Sequence, residues 1–198
     1  MSEPLPAAAA TLCAHGLLLR PWSEDGAADE TAALRIALGD PEMGRWNPVA
    51  VHKEPGDTEV RRWLAVRAKG WACGTRASWC VRDEATGAVL GNVSLQDVDR
   101  RRRRGLVGYW TLPGARGGRV ASRALAAVTR WAFAELALHR LELGHAMGHD
   151  ASCRIAVRCG YPLEGILREA LSNGAGDLLD MHLHARLSTD PPCDPLGR

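Results

Sequence analysis

The stretch PGARGGRVASRAL (113–125) joins a strand-like run, LVGYW (106–110), to a long Ala- and Leu-rich pattern with helical spacing. Gly117 and Gly118 carry no side chain to pack and add backbone entropy, where a helix entry would ordinarily use Ser or Asp. A loop that leaves a strand and opens a helix presents free backbone N–H groups and the positive end of the helix dipole, which together make an anion site. Glycine lets a bulky phosphate reach the backbone, and Arg116 and Arg119 add charge-assisted donors suited to phosphate oxygens. On its own the pattern also fits a purely structural loop. A nucleotide-triphosphate loop would need Lys-Ser/Thr after the last glycine, and Arg119-Val120 stands there instead. A dinucleotide fold needs G-x-G-x-x-G, but these glycines are adjacent. Both are excluded.

Working outward, HGLLLRPW (15–22) is a short apolar run stopped by Pro21, and residues 23–38 have helical spacing. DPEMGRWNPVAV reads as irregular. In the next helix Asp57 is the expected N-cap, and Val60, Trp63 and Leu64 make an apolar stripe ending at Gly70. Residues 77–95 read as a hairpin and GLVGYWTLP as a further strand. The helix after the glycine loop spans roughly 118–136, with Ala121, Leu125, Val128, Ala132 and Leu136 on one face. HRLELGHAM (139–147) is a strand, and HDASCRIAVRC is a short helix closed by Gly160 in a left-handed cap. Two last strand-like runs flank SNGAG. The alternation predicts an α/β (α+β) domain with a mixed sheet.

Two blocks, in this order and at this separation, resemble the GNAT superfamily of N-acetyltransferases, and more closely its RimJ/RimL-like branch. VGYWTLPGARGGRVASRAL resembles the family's strand, loop and helix for acetyl-CoA. HDASCRIAVRCGYPLEGILREAL resembles its N-x-x-S-x-R-V-A-x-x-x-G-F/Y-x-x-E-G block. LLLRPW, DPEMGRWNP and VLGNVSLQDVD resemble the first strand, the acceptor-side segment and the third strand. The likeness runs over about residues 13–188 and implies a GNAT fold: a mixed, mostly antiparallel sheet of about seven strands flanked by helices. Residues 1–12 and 189–198 are expected to be disordered tails.

The resemblance implies acetyl-CoA as co-substrate and no metal. The diphosphate loop R-x-x-G-x-G/A maps onto Arg116, Gly117, Gly118, Arg119, Val120 and Ala121, followed by Ser122. Arg119 replaces the family's usual glycine. The pantetheine arm is expected on the backbone of Trp110, Thr111 and Leu112, which needs an interrupted ladder there. His149 takes the family's helix-start asparagine position, and Leu106 the acidic position of the fourth strand, so the usual general base is missing. Ser152 is the expected acid for the leaving thiolate, with helix capping as its structural alternative. His145 and Asp97 are fallback bases, and Trp46, Tyr109 and Asp97 are expected near the acceptor. An α-amine, with pKa of about 7.7–8.0, costs about 1 kcal/mol to deprotonate at pH 7, against nearly 5 kcal/mol for lysine. The implied acceptor is therefore a primary amine, on a protein N-terminus or a small molecule.

The rest of the chain narrows the classes. Its 198 residues suit one domain, and the net charge of +2 argues against nucleic acid as partner. No run approaches the ~18 apolar residues of a membrane span, and MSEPLPAAAATLCAHG lacks the basic start of a secretory signal. Six cysteines without a CxxC pair fit a reducing cytoplasm better than a disulfide framework. Cys153 has no His/Asp partner spaced to make it a nucleophile. The arginine run 100–104 reads as a solvated hairpin tip, and His182 and His184 as a solvent-facing pair on the last strand, not metal ligands. The resemblance also admits a homodimer. Its alternatives are a non-catalytic acyl-CoA-binding module and an arginine-hairpin nucleic-acid binder on the same fold.

Overall fold

The computed structural model describes Leu5, residues 11–47, residues 54–193 and Pro195. Most of the first expected tail falls outside these residues, but Leu5 is buried in the main core and its amide donates to the Trp71 carbonyl. Residues 189–193 of the second are described and tied to β8, the Leu187 amide donating to Asp190 at 2.8 Å and Arg186 to the Pro191 carbonyl at 2.7 Å. Eight strands form one sheet. In chain order they are β1 (Leu12–Ala14), β2 (Leu17–Pro21), β3 (Ala77–Asp83), β4 (Val89–Asp99), β5 (Arg104–Thr111), β6 (Arg140–Ala146), β7 (Leu163–Ser172) and β8 (Leu178–Leu187). The spatial order is β1-β2-β3-β4-β5-β6-β8-β7. All pairings are antiparallel except β5 with β6. The helices are α1 (Ala28–Leu38), α2 (Pro41–Trp46), α3 (Asp57–Ala72), α4 (Val120–Glu135) and α5 (Asp150–Arg158).

The eighth strand, Leu12–Ala14, comes from the residues just before the first run and starts at the end of the expected tail. His15 and Gly16 both have positive φ, 54° and 74°, the requirement of a two-residue hairpin turn. They fold Leu12–Ala14 back onto β2, so the expected single strand is a hairpin. Two further expectations shift. Asp40 accepts the Glu42 amide at 3.2 Å and Pro41 follows at the first helical position, so the segment read as irregular starts as α2. Helix α3 begins at Asp57 with Gly56 as N-cap, whose amide donates to the Glu59 carboxylate at 2.9 Å. The arginine run is the β4–β5 turn, as expected; Arg103 Nε also donates to the Ala137 carbonyl at 2.9 Å, tying the tip to the end of α4.

Strand β3 is buried on both faces, which explains its continuous apolar character. Trp79 and Val81 join the main core with Leu17, Leu19, Val93, Leu95, Leu125, Val128 and Trp131, beneath α4. Cys80 faces a second cluster with Trp22, Leu34, Leu38, Val60, Trp63 and Leu64 from α1 and α3. Burying the stripe Val60, Trp63, Leu64 stabilises the fold by about 1.5–3 kcal/mol for each fully buried side chain. At the other end, β7 is an edge strand that leaves Leu163, Ile166 and Leu167 exposed.

One polar cluster crosses the second layer. Glu30 on α1 is 1% exposed and bonds Arg82 of β3 at 2.9 Å and the Ser23 amide at 2.8 Å. Arg82 is also buried, and its hydrogen bonds to Asp29 and Glu30 hold its pKa above the usual guanidinium range against the cost of burial. Removing one member of a buried pair strands the other charge, at about 3–5 kcal/mol. Glu30→Ala is therefore expected to lower stability by about that amount in urea unfolding, more than any surface ion-pair deletion in this chain.

Candidate active site

The site follows from how two strands part. Strands β5 and β6 pair in parallel only through Arg104–Arg140, Gly105–Leu141 and Leu106–Glu142. Beyond Leu106, β5 keeps β4 as a neighbour up to Thr111 but has no partner on its other edge. Into that splay opens a cavity of about 530 Å³, within the range of cofactor-sized sites. Its lining comes from Tyr109, Trp110 and Thr111 of β5, the loop and first turn of α4, the first turns of α5, and α2.

The glycine loop has the geometry that the sequence predicts for an anion cradle. Pro113–Ala115 form a 3₁₀ turn and α4 starts at Val120. Among the described residues, the amides of Gly117, Val120, Ala121 and Ser122 donate to no backbone carbonyl, and all four residues line the cavity. Gly117 has φ +81° with nothing within 4 Å of where a Cβ would stand. It supplies both the left-handed backbone and the open approach. Gly118 does not line the cavity and has ordinary room for a Cβ, whose nearest neighbour would be 3.4 Å away. Arg119 lines the cavity at φ 56°, a conformation that costs a side-chain-bearing residue about 1–2 kcal/mol. The family's glycine at this position is thus replaced with its backbone shape retained. Arg116 lines the cavity and pairs with Asp40, so it bridges the loop to the N-cap of α2.

Helix α5 supplies the second wall. Ser152 is buried, lines the cavity, and its amide donates to the His149 carbonyl at 3.0 Å. The Tyr109 hydroxyl is buried without a partner in full hydrogen-bond geometry. Burial pushes its pKa above the usual phenol range, and hydrogen bonding with Ser152 acts in the opposite direction. Tyr109 and Ser152 both line the cavity. His149 stacks flat on Trp46, rings 4.7 Å apart, and both line the cavity. Burial first, then the neighbouring His145, lowers its pKa to about 4, so it is neutral at physiological pH.

Several expected residues lie elsewhere. Leu112 is not part of the lining and its amide already donates to the Leu90 carbonyl at 2.9 Å, so Leu112 has no N–H to offer. Asp97 is exposed at a bulge of β4, with φ 49°, and lies outside the cavity. His145 is buried and lies outside the cavity lining, with Nδ1 3.0 Å from the Ala146 carbonyl and Nε2 3.2 Å from His184 Nε2. The solvent-facing reading of His182 and His184 is overturned: His184 is fully buried, and the rings of His145, His182 and His184 cluster. Strand alternation correctly put 182 and 184 on one face, but a period of two does not say which face is covered. Glu142, the ladder neighbour of Leu106, does not take the place of the missing carboxylate, since Arg140 holds it at 2.7 Å. Glu42 and Asp150 do line the cavity. They were missed because each precedes or opens a helix and reads as a first-turn acid.

A family model described as an acetyltransferase (GNAT) domain matches residues 16–162. The chain belongs to the GNAT family. Over 85 residues it is 31% identical to the Bacillus subtilis protein named "Putative ribosomal N-acetyltransferase YdaF", covering 43% of this chain and 46% of that one. The chain spans about half the length of the curated relatives it matches. Mycobacterium smegmatis RimJ, solved in complex with CoA-disulfide, superposes with a TM-score of 0.77 at 23% identity, over 93% of this chain and 89% of that one. RimL, a ribosomal α-N-protein acetyltransferase solved with coenzyme A, gives 0.74 at 20% identity, over 93% and 98%. At these identities the solved structures show a shared fold.

The two loop glycines are expected to respond differently to one methyl group. Gly117→Ala should lose about 1–2 kcal/mol of stability from its left-handed backbone, whereas Gly118→Ala should lose none. Thermal unfolding of the two variants beside wild type makes the comparison.

Proposed function

We propose that this protein transfers an acetyl group from acetyl-CoA to a primary amine, with an N-terminal α-amine of a peptide as the favoured acceptor. The observation that carries this reading is the meeting, in one cavity, of unpartnered loop amides, the open edge of β5 and the buried Ser152. The names of the relatives, all acetyltransferases, support it.

Acetyl-CoA supplies an acyl group activated as a thioester. Gly117, Val120, Ala121 and Ser122 offer their amides to its diphosphate, at the positive end of the α4 dipole. Arg116 and Arg119 add positive charge there, with Arg116 exchanging part of its bond to Asp40 for phosphate oxygen. The open edge of β5 at Tyr109–Thr111 provides backbone groups for the pantetheine arm and an N–H for the carbonyl oxygen as negative charge develops on it. A neutral amine forms the C–N bond as the C–S bond breaks. Ser152 Oγ–H gives its proton to the departing sulfur and takes one back from water entering the open cavity. Burial keeps the Tyr109 hydroxyl neutral, so it orients Ser152 and carries no charge itself. The amine's proton leaves to water, near Glu42 on the α2 side. Without a carboxylate at Leu106, a low-pKa α-amine is easier to use than a lysine by nearly 4 kcal/mol.

Turnover of acetyl-CoA, read as free thiol against a panel of N-terminal peptides and aminated small molecules, tests this directly. Ser152→Ala is expected to lower kcat by about 10²-fold with KM for acetyl-CoA little changed, and Tyr109→Phe by about tenfold. Tight CoA binding without thiol release for any amine would instead mark a non-catalytic binding module.

A further inference from the structure

The three-histidine cluster behind the cavity is assembled by register. In the antiparallel β6–β8 ladder His145 lies opposite His182, and His184, two residues further along β8, lies opposite Leu143. Residues two apart share a face, so all three imidazoles project from the same side. The first turn of α5 brings Cys153 to that side. One ligand atom from each of His145, Cys153, His182 and His184 lies within 4.8 Å of every other.

The hydrogen bonds then set the tautomers. His145 Nδ1 is 3.0 Å from the Ala146 carbonyl and His184 Nδ1 is 3.0 Å from the Tyr161 carbonyl. A carbonyl oxygen only accepts, so each Nδ1 carries the proton and each Nε2 presents a lone pair. Yet the two Nε2 atoms face one another at 3.2 Å. Two lone pairs at that distance repel unless a positive species sits between them. A proton shared between these two nitrogens would leave the Cys153 sulfur and His182, gathered within 4.8 Å of them, without a role. His182 Nδ1 is also buried with no partner. A tetrahedral zinc ion fits: with Zn–N bonds of about 2.0–2.1 Å its nitrogen ligands stand about 3.3–3.4 Å apart, close to the observed separation. Ring N–H groups donated to backbone carbonyls are also the usual support of metal-bound histidines.

We propose that His145, Cys153, His182 and His184 form a zinc site. Three neutral imidazoles and one thiolate fill four positions, which leaves none for a reacting water and makes the site structural. As the S–Zn bond forms, the Cys153 thiol proton passes to solvent. Cys153 and His182 are only half-buried, which gives the ion a way in. Bound zinc would clamp the first turn of α5 to β6 and β8, and Ser152, adjacent to Cys153, lines the cavity on that turn. The ion would therefore fix the position of Ser152 without touching the reaction.

The test uses the full, untagged chain, stripped with a chelator and then titrated with zinc or cobalt(II). Expected are one zinc per chain, a melting temperature that rises with zinc, and a cobalt(II) spectrum with intense tetrahedral visible bands and a thiolate charge-transfer band. Cys153→Ser should abolish that charge-transfer band and the zinc-dependent rise in Tm while keeping the wild-type circular dichroism. His182→Gln, at a half-buried position, should weaken zinc binding by about tenfold or more. Identical melting of the stripped and zinc-loaded chain, or a cobalt spectrum unchanged by Cys153→Ser, would overturn the proposal. None of these readouts depends on acetyl transfer, so the enzymatic reading stands or falls separately.

Discussion

Strands β5 and β6 run side by side for three residue pairs and then separate, and the site depends on that separation. A buried strand edge normally satisfies its N–H and C=O groups with a neighbour. From Val107 to Thr111, β5 has such a neighbour on the β4 side alone, so its other edge must be satisfied by water or by a ligand. The same separation lets α4 start above β5 and α5 start beside β6, so two helix N-termini and one open strand edge converge on a single cavity.

The loop before α4 illustrates that division. Its shape is a backbone property: Gly117 and Arg119 both have positive φ, and only the first is a glycine. Arg119 takes on conformational strain and adds a positive charge at an anion cradle. Arg116 is tied to Asp40, the residue that caps α2, so that helix and the glycine loop share one ion pair.

Helix α5 has two working sides. Ser152 points to the cavity and Cys153 to the histidines on β6 and β8, although the two residues are adjacent. An α-helix turns about 100° per residue, so neighbouring side chains necessarily look in different directions. The first turn of α5 is thus where cavity chemistry and the histidine cluster meet.

What the amino-acid sequence determined by itself is local. The glycine loop, the cap at Gly160 with φ 74°, the arginine turn and the long α4 all follow from backbone preferences and short-range periodicity, and each lies where those rules put it. The order of the two matching blocks was enough to predict the family. Contacts between distant segments depended on the tertiary structure. Asp40 and Arg116 are 76 positions apart, and nothing near either names the other. The alternation of His182 and His184 with apolar residues is the same whether their face meets water or a helix; sheet order and the path of α5 buried them. Likewise Leu112 seemed as available as Trp110 until the β4–β5 register gave its amide to Leu90. Periodicity assigns a side chain to a face, but only the packing of elements far apart in the chain decides what that face touches.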